Sequence, residues 1–274
     1  QVQCQLDLKL YILLQHELIE NHEKIKLPDP EFILNLNSPQ KKAVLNTEGP
    51  LLVLSGAGTG KTKVLTTRLA NIIHSGKASV SGVLCVTFTN KAALEMKMRV
   101  QKILKQPVEG MFIGTFHSIG ARILRKHASL ANLKNDFTIL DTDDQLRLMK
   151  QVISTLYLDP KIHVPKSYIY MIDQLKNHGL TFDEINNHEL EEKSKGKLSL
   201  VYKFYQERLK VYNAVDFGDL ILIPLQIFRA HVDILEIYQE KFRYILVDEY
   251  QDTNSAQYMF LRLLSGEKKN ICCV

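Results

Sequence analysis

Cysteine is scarce: Cys4, Cys85, Cys272 and Cys273 are the only four in 274 residues, and none has metal-ligand spacing. Cys85 and the Cys272-Cys273 pair lie in apolar, strand-like runs, the setting of buried thiols kept reduced in the cytoplasm. No apolar run reaches the roughly 20 residues of a membrane-spanning helix, and no secretory leader is visible. A cytoplasmic protein with no membrane partner is expected. The first residue is Gln1 rather than Met, so the natural start is expected to lie elsewhere. No internal repeat is visible. Neither sign of charge dominates: 35 Lys and Arg against 30 Asp and Glu leave +5, which permits a polyanionic partner without requiring one. With 45% hydrophobic and 24% charged residues, the chain has the make-up of a globular protein with a full core. It is long enough for one large domain or two small ones.

The chemistry is concentrated in a few stretches. Residues 54–62 read Leu-Ser-Gly-Ala-Gly-Thr-Gly-Lys-Thr and follow the apolar run Leu51-Leu52-Val53-Leu54. This is the pattern of a phosphate-binding loop leaving a buried strand. Gly56, Gly58 and Gly60 allow a tight fold whose N–H groups cradle phosphate oxygens, Lys61 reaches the β- and γ-phosphates, and the Thr62 hydroxyl suits Mg²⁺. A helix with Leu65, Leu69, Ile72 and Ile73 on one face follows, its N-terminus favouring negative charge. The strict pattern asks for Gly at the first position, where this chain has Ser55; a plain glycine-rich turn is the alternative.

Residues 244–249 read Tyr-Ile-Leu-Val-Asp-Glu, an apolar strand ending in two carboxylates. In a P-loop enzyme such an Asp holds Mg²⁺, and a following Glu can deprotonate the attacking water. By itself this is also a common strand ending.

Strand and helix signals alternate along much of the chain. Buried strands are expected at 51–55, 83–87, 111–115, 244–248 and 270–274. Helices lie between them, one with the stripe Ala92, Met96, Val100 and Ile103. Such alternation predicts a parallel sheet covered on both faces. Residues 120–213 break the pattern: a short strand at 137–140 is followed by helices near 142–156, 166–177 and 198–212. This block reads as a helical subdomain inserted into an α/β domain. Glu191-Glu192-Lys193-Ser194-Lys195 reads as a solvated loop. Leu6, Leu10, Leu13, Leu14 and Leu18 predict an N-terminal helix ended by Pro28 and Pro30.

Two further strand ends carry small polar groups. Val86-Thr87-Phe88-Thr89-Asn90-Lys91-Ala92-Ala93 would place Phe88 to stack on a base, with Thr89 and Asn90 at phosphates; taken alone, Phe88 reads more readily as core. Gly114-Thr115-Phe116-His117-Ser118 sets Thr115 and His117 on the neighbouring edge, where strand C-termini line the ligand crevice. His117 alone also fits a structural hydrogen bond.

The ordered set resembles the N-terminal ATPase part of the UvrD/Rep/PcrA-like DNA helicases of superfamily 1, from about Leu36 to the end. Leu36-Asn37-Ser38-Pro39-Gln40 resembles the Q motif, Ser55 to Thr62 motif I, Thr87 to Ala93 motif Ia, and Gly114 to Ser118 motif Ib. Val215-Asp216-Phe217-Gly218-Asp219-Leu220 resembles the family's Asp-Phe-x-Asp-Leu signature. Val247-Asp248-Glu249-Tyr250-Gln251-Asp252-Thr253-Asn254 resembles motif II.

The resemblance implies a RecA-like α/β domain 1A, at 36–119 and 214–274, carrying a helical insert 1B at 120–213, with 1–35 an N-terminal extension. It implies ATP and Mg²⁺ as cofactors and a motor moving 3′ to 5′ on single-stranded DNA towards duplex junctions, in repair, replication or recombination. Gln40 would read adenine, and Ser55, Gly56, Ala57, Gly58, Thr59, Gly60, Lys61, Thr62 and Lys63 would line the nucleotide. Thr62 and Asp248 would hold the metal, Glu249 would activate water, and Gln251 and Asp252 would couple the nucleotide to the motor. Phe88, Thr89, Asn90, Thr115 and His117 would contact DNA.

Lys63 departs from the family's frequent Arg, keeping the charge but losing a planar stacking surface. The stretch Asn270-Ile271-Cys272-Cys273-Val274 stops where motif III would begin. A truncated piece or a split gene product is therefore expected, without the second RecA-like domain and its arginine fingers. Such a chain would bind ATP and single-stranded DNA but not unwind. An unrelated P-loop kinase would need an Arg-rich lid and an acceptor site, and neither is visible.

Overall fold

In the computed structural model, residues 30–56, 58–185, 192–267 and 269–274 are described. The helix expected from the leucines before Pro28 falls outside them. Glu31–Leu34 forms a single helical turn, α1, and Ser38–Leu45 forms α2.

Five strands form a parallel sheet: β1 (Leu51–Leu52), β2 (Val83–Thr87), β3 (Phe112–Thr115), β6 (Tyr244–Val247) and β7 (Ile271–Cys273). Their spatial order is β1-β7-β6-β2-β3. One register row crosses all five, from Leu51 through Cys272, Leu246 and Cys85 to Ile113. The two central strands alternate strictly, as the pleat requires. Val83, Cys85, Tyr244 and Leu246 face one apolar cluster. Leu84, Val86, Ile245 and Val247 face another.

The first cluster is closed by Leu65, Leu69 and Ile72 of α3 (Lys61–His74) and by Met96 and Val100 of α4 (Asn90–Leu104). The second is closed by Ile119 and Ile123 of α5 (Phe116–Lys126), by Ile221, Leu225 and Phe228 of α9 (Asp219–Ala230), by Tyr238 of α10 (Val232–Lys241), and by Phe260 and Leu264 of α11 (Ser255–Ser265). Both faces are thus covered, as a parallel sheet demands. Helices α5 and α9 approach so closely at Gly120 that a Cβ there would stand 1.9 Å from the Leu220 carbonyl oxygen.

A separate cluster joins α6 (Thr142–Thr155), α7 (Pro165–Asn177) and α8 (Leu198–Val211) through Met149, Val152, Ile172, Leu175, Val201 and Tyr205. These helices begin and end within two residues of the expected ranges.

Three local expectations need correction. Strand β1 ends at Leu52 rather than 55: Val53 N–H still donates to Cys273 O at 2.9 Å, but Leu54 is exposed and the chain turns into the glycine loop. The short strand β4 (Thr138–Ile139) has a parallel partner that periodicity did not reveal, β5 (Ala214–Val215), because two residues are too few to show a period. Ser194, expected in a solvated loop, is buried: its Oγ accepts from the Lys197 and Leu198 backbone N–H groups, and its carbonyl accepts from the Tyr168 hydroxyl. Cys85, Cys272 and Cys273 are buried and unpaired with one another.

Candidate functional site

The glycine loop between β1 and α3 is positioned from both sides. Gly60 adopts φ +93°, the left-handed region that favours glycine, and a Cβ on it would lie 3.0 Å from Gln40 Nε2. Gln40 Nε2 donates to the Thr59 carbonyl at 3.1 Å, and Thr59 Oγ1 donates to the Gly56 carbonyl at 2.8 Å. Gly58 is also left-handed, at φ +76°. No side chain caps the first turn of α3, whereas Thr89 Oγ1 accepts from Ala92 N–H and Thr115 Oγ1 accepts from Ser118 N–H at the starts of α4 and α5. The first N–H groups of α3 are thus left for an anion. Ser55, Gly56, Thr59 and Lys63 are exposed, and Lys61 and Thr62 half-buried. Ala57 lies outside the described residues.

A residue that sequence reasoning missed holds this frame. Arg68, on the buried face of α3, is 1% exposed. Its guanidinium donates to the carbonyls of Ala43 (2.5 Å), Asn46 and Thr47 (3.0 Å), which follow Gln40 at the end of α2. These bonds tie the helix carrying Lys61 to the helix carrying Gln40. Its one signal in the sequence is a cation on an apolar stripe.

Asp248 follows β6 in the middle of the sheet. Its backbone N–H donates to Val86 O at 2.9 Å, so the β2–β6 ladder fixes it. The side chain is buried; Thr87 Oγ1 lies 3.5 Å from Oδ2, and Oδ1 has no partner. Burial pushes its carboxyl above the usual carboxylate range and Glu249 pushes the same way, while the Thr87 hydroxyl, the Glu249 backbone and the Lys61 ammonium pull it down. An orphaned, buried carboxylate oxygen is costly unless a cation completes it. Among the described residues no group of three His, Cys, Asp or Glu is arranged to hold a metal. A lone carboxylate is what a Mg²⁺ site sharing nucleotide phosphates requires.

Glu249 comes next in a left-handed conformation, φ 52° and ψ 48°, and opens a 3₁₀ turn at Tyr250–Asp252. Gln251 Nε2 donates to Glu249 Oε2, so these two are brought together. Gln251 and Asp252 are exposed.

At the end of β2, the strand next to β6, Phe88 is 60% exposed, which removes it from the core. Thr89 and Asn90 are exposed beside it. Thr87 of β2 pairs in register with Thr115 of β3. His117, the second residue of α5, is half-buried; burial lowers its imidazole pKa, opposed by Asp173. Its ring meets Phe217 edge-on at 5.8 Å.

A parallel sheet with a glycine-rich loop after β1, an acidic pair after β6 and helices on both faces defines a RecA-like α/β domain. The chain belongs to the UvrD/REP helicase N-terminal domain family, whose pattern matches residues 36–274. It is 48% identical over 250 residues to a probable DNA helicase II homolog of Rickettsia conorii, covering 90% of this chain and 38% of that protein. It is 47% identical over 254 residues to DNA helicase II of Rickettsia typhi, covering 92% and 38%. With the ATP-dependent DNA helicase PcrA of Staphylococcus epidermidis it shares 43% identity over 243 residues, 89% of this chain and 33% of that protein. The chain therefore spans little more than a third of the curated relatives it matches. Among the described residues no helix is long and apolar enough to cross a membrane.

Proposed function

We propose that this chain is the ATP-binding and hydrolysing part of a 3′-to-5′ DNA helicase acting on single-stranded DNA. The observation that carries this reading is the orphaned Oδ1 of buried Asp248, at the end of the strand that lies between β7 and β2, within electrostatic reach of Lys61. Gln40 recognises the adenine edge, and the N–H groups from Gly56 to Thr62 and the Lys61 ammonium take the phosphates. Mg²⁺, when bound, neutralises phosphate charge, and Thr62 and Asp248 are the side chains that hold it. Glu249, oriented by Gln251, accepts the proton of the attacking water. The strand lies across the ends of β2 and β3, on Phe88, Thr89, Asn90, Thr115 and His117. We assign 36–119 and 214–274 to the ATPase domain 1A and 120–213 to the insert 1B, except that residues 120–126, the rest of α5, go with the first because α5 packs into the sheet's own core. Buried free thiols suit a cytoplasmic location.

Glu249→Gln tests the chemistry in this chain joined to the rest of a helicase. It is expected to leave Mg-ATP binding nearly intact and to cut turnover by about 10² or more, whereas Lys61→Ala weakens binding itself. Unchanged turnover in Glu249→Gln would overturn the assignment. A second reading, a module that binds ATP and a strand with little turnover, rests on the third or so of its relatives' length that the chain spans. An arginine finger is worth about 10³–10⁵ in rate, and in this family the fingers lie in the second domain. Strand displacement on a 3′-tailed duplex with the 274-residue chain alone tests the second: none is expected, and robust unwinding excludes it.

A further inference from the structure

Helix α4 carries two large apolar side chains on the side turned away from the core. Leu94 is 59% exposed and Met98 54%, whereas Met96 and Val100 are buried against the sheet. Two residues along an α-helix turn it by about 200°. Leu94 stands two before Met96 and Met98 two before Val100, so both point straight into solvent rather than from the margin of the buried stripe. They are four apart and share one face. Single exposed apolar residues are ordinary, but an adjoining pair at the centre of an outward face has the composition of a contact surface.

Positive charge surrounds the pair. Lys91, three before Leu94, Lys97, three after it, and Lys102, four after Met98, are its exposed neighbours on the helix. Lys105, also exposed, ends the helix in a left-handed conformation, φ 53°. Beside Met98 the surface sinks into an open hollow of about 430 Å³, lined by Met98, Gln101, Lys102, Lys105, Gln106 and Pro107. Among the described residues none of the four lysines forms an ion pair. The one carboxylate of the helix, Glu95, is already paired with Arg99 at 3.6 Å.

This composition selects among partners. A phosphate backbone has no counterpart for Leu94 and Met98, and the outward face of α4 holds no ring on which a base could stack. A bilayer fits poorly, because the other side of α4 is closed into the core and two apolar residues are far fewer than an interfacial helix buries. A protein segment with apolar side chains set among Asp and Glu meets both parts of the surface, an apolar centre and a charged rim. We propose that the outward face of α4 docks such an acidic, apolar-studded segment of another protein, with Leu94 and Met98 as the anchors and Lys91, Lys97, Lys102 and Lys105 as the rim.

Fluorescence anisotropy with the purified 274-residue chain decides it, with no nucleotide or DNA present. The probe is a labelled helix-forming peptide of Glu with Leu at every third and fourth position. Two controls replace its Leu by Ser or its Glu by Lys. The parent chain is expected to bind the probe about tenfold or more tightly than either control. Leu94→Ser with Met98→Ser should lose about tenfold or more while keeping the melting temperature, because both side chains already stand in solvent. Lys102→Glu with Lys105→Glu should also lose affinity, most at low salt, and decides the matter should the Ser pair fold poorly. Equal binding of the Ser control, full affinity in the Ser pair, or a parent that binds no peptide overturns the docking surface. Flotation with phosphatidylserine–phosphatidylcholine vesicles and sedimentation of the chain alone test the other occupants. Vesicle binding or self-association that the Ser pair abolishes overturns the acidic segment in favour of a membrane or a second copy.

Discussion

Gln40 occupies the space that a side chain on Gly60 would need: a Cβ there would stand 3.0 Å from Gln40 Nε2, which already donates to Thr59 O at 3.1 Å. The phosphate loop and the residue expected to read adenine are therefore one mechanical unit. Gly60→Ala brings two faults, a left-handed φ of +93° that costs a side-chain-bearing residue about 1–2 kcal/mol, and displacement of the Gln40 amide. Titration with a fluorescent ADP analogue is expected to show weakened affinity. Gln40→Ala should weaken affinity without lowering the melting temperature. Unchanged affinity in Gly60→Ala contradicts the coupling.

Gly120→Ala is expected to strike the fold rather than the nucleotide. Its Cβ would stand 1.9 Å from the Leu220 carbonyl, a backbone atom that no rotamer change can move. Helices α5 and α9 must separate, and overpacking of this kind typically costs about 1–3 kcal/mol or more. Gly56→Ala is the control, since its Cβ would meet nothing nearer than Thr59 Cγ2 at 3.9 Å. Denaturant melts check this; a Gly120→Ala midpoint equal to that of Gly56→Ala would refute it.

Metal dependence follows from Asp248. Burial and Glu249 raise its carboxyl pKa, so protons compete for it at a higher pH than for an ordinary carboxylate. Mg-dependent tightening of nucleotide binding should fade on acidification sooner than at a site built on an ordinary carboxylate, and chelation by EDTA should abolish it. Asp248→Asn should bind nucleotide equally with and without Mg²⁺. Isothermal titration in both conditions tests this; a full Mg²⁺ effect in Asp248→Asn would rule out the ligand.

Acid stability has a different origin. The Tyr244 hydroxyl, donating at 2.8 Å, and the Lys77 ammonium at 3.0 Å hold the Glu48 carboxyl at about 2, below its ordinary 4.5. A depressed folded-state value stabilises the fold fully above pH 4.5 and loses that contribution as pH falls towards 2. The Glu48 side chain is 61% exposed, so solvent screening keeps the effect small. Glu48→Gln should flatten the stability profile in that window, read from urea midpoints at several pH values. An unchanged profile would disprove the linkage.

The features legible in the sequence were those with a local signature. Leu65, Leu69 and Ile72 read as one helix face and are buried as one, and the Asp248-Glu249 pair announced itself by ending an apolar strand. Arg68 and Lys176, which pairs with Asp216 and Asp219, were not legible, because their meaning lies in acceptors 21 to 43 positions away in the chain. Phe88 was ambiguous because an aromatic at a strand end is core or platform according to which way the chain turns next, and only its exposure separates the two. Strand β5 escaped because its two residues pair with a segment 76 positions earlier.

Glu249 occupies a left-handed backbone position, φ 52°, that glycine or asparagine would hold at less cost. Its carboxylate is retained against the preference of its own main chain. A library at this codon sorted only for thermal robustness should therefore drift towards Gly and Asn, while one sorted for ATP turnover should return Glu. The gap between those two outcomes would measure, at a single residue, how far catalysis and folding pull apart in this domain.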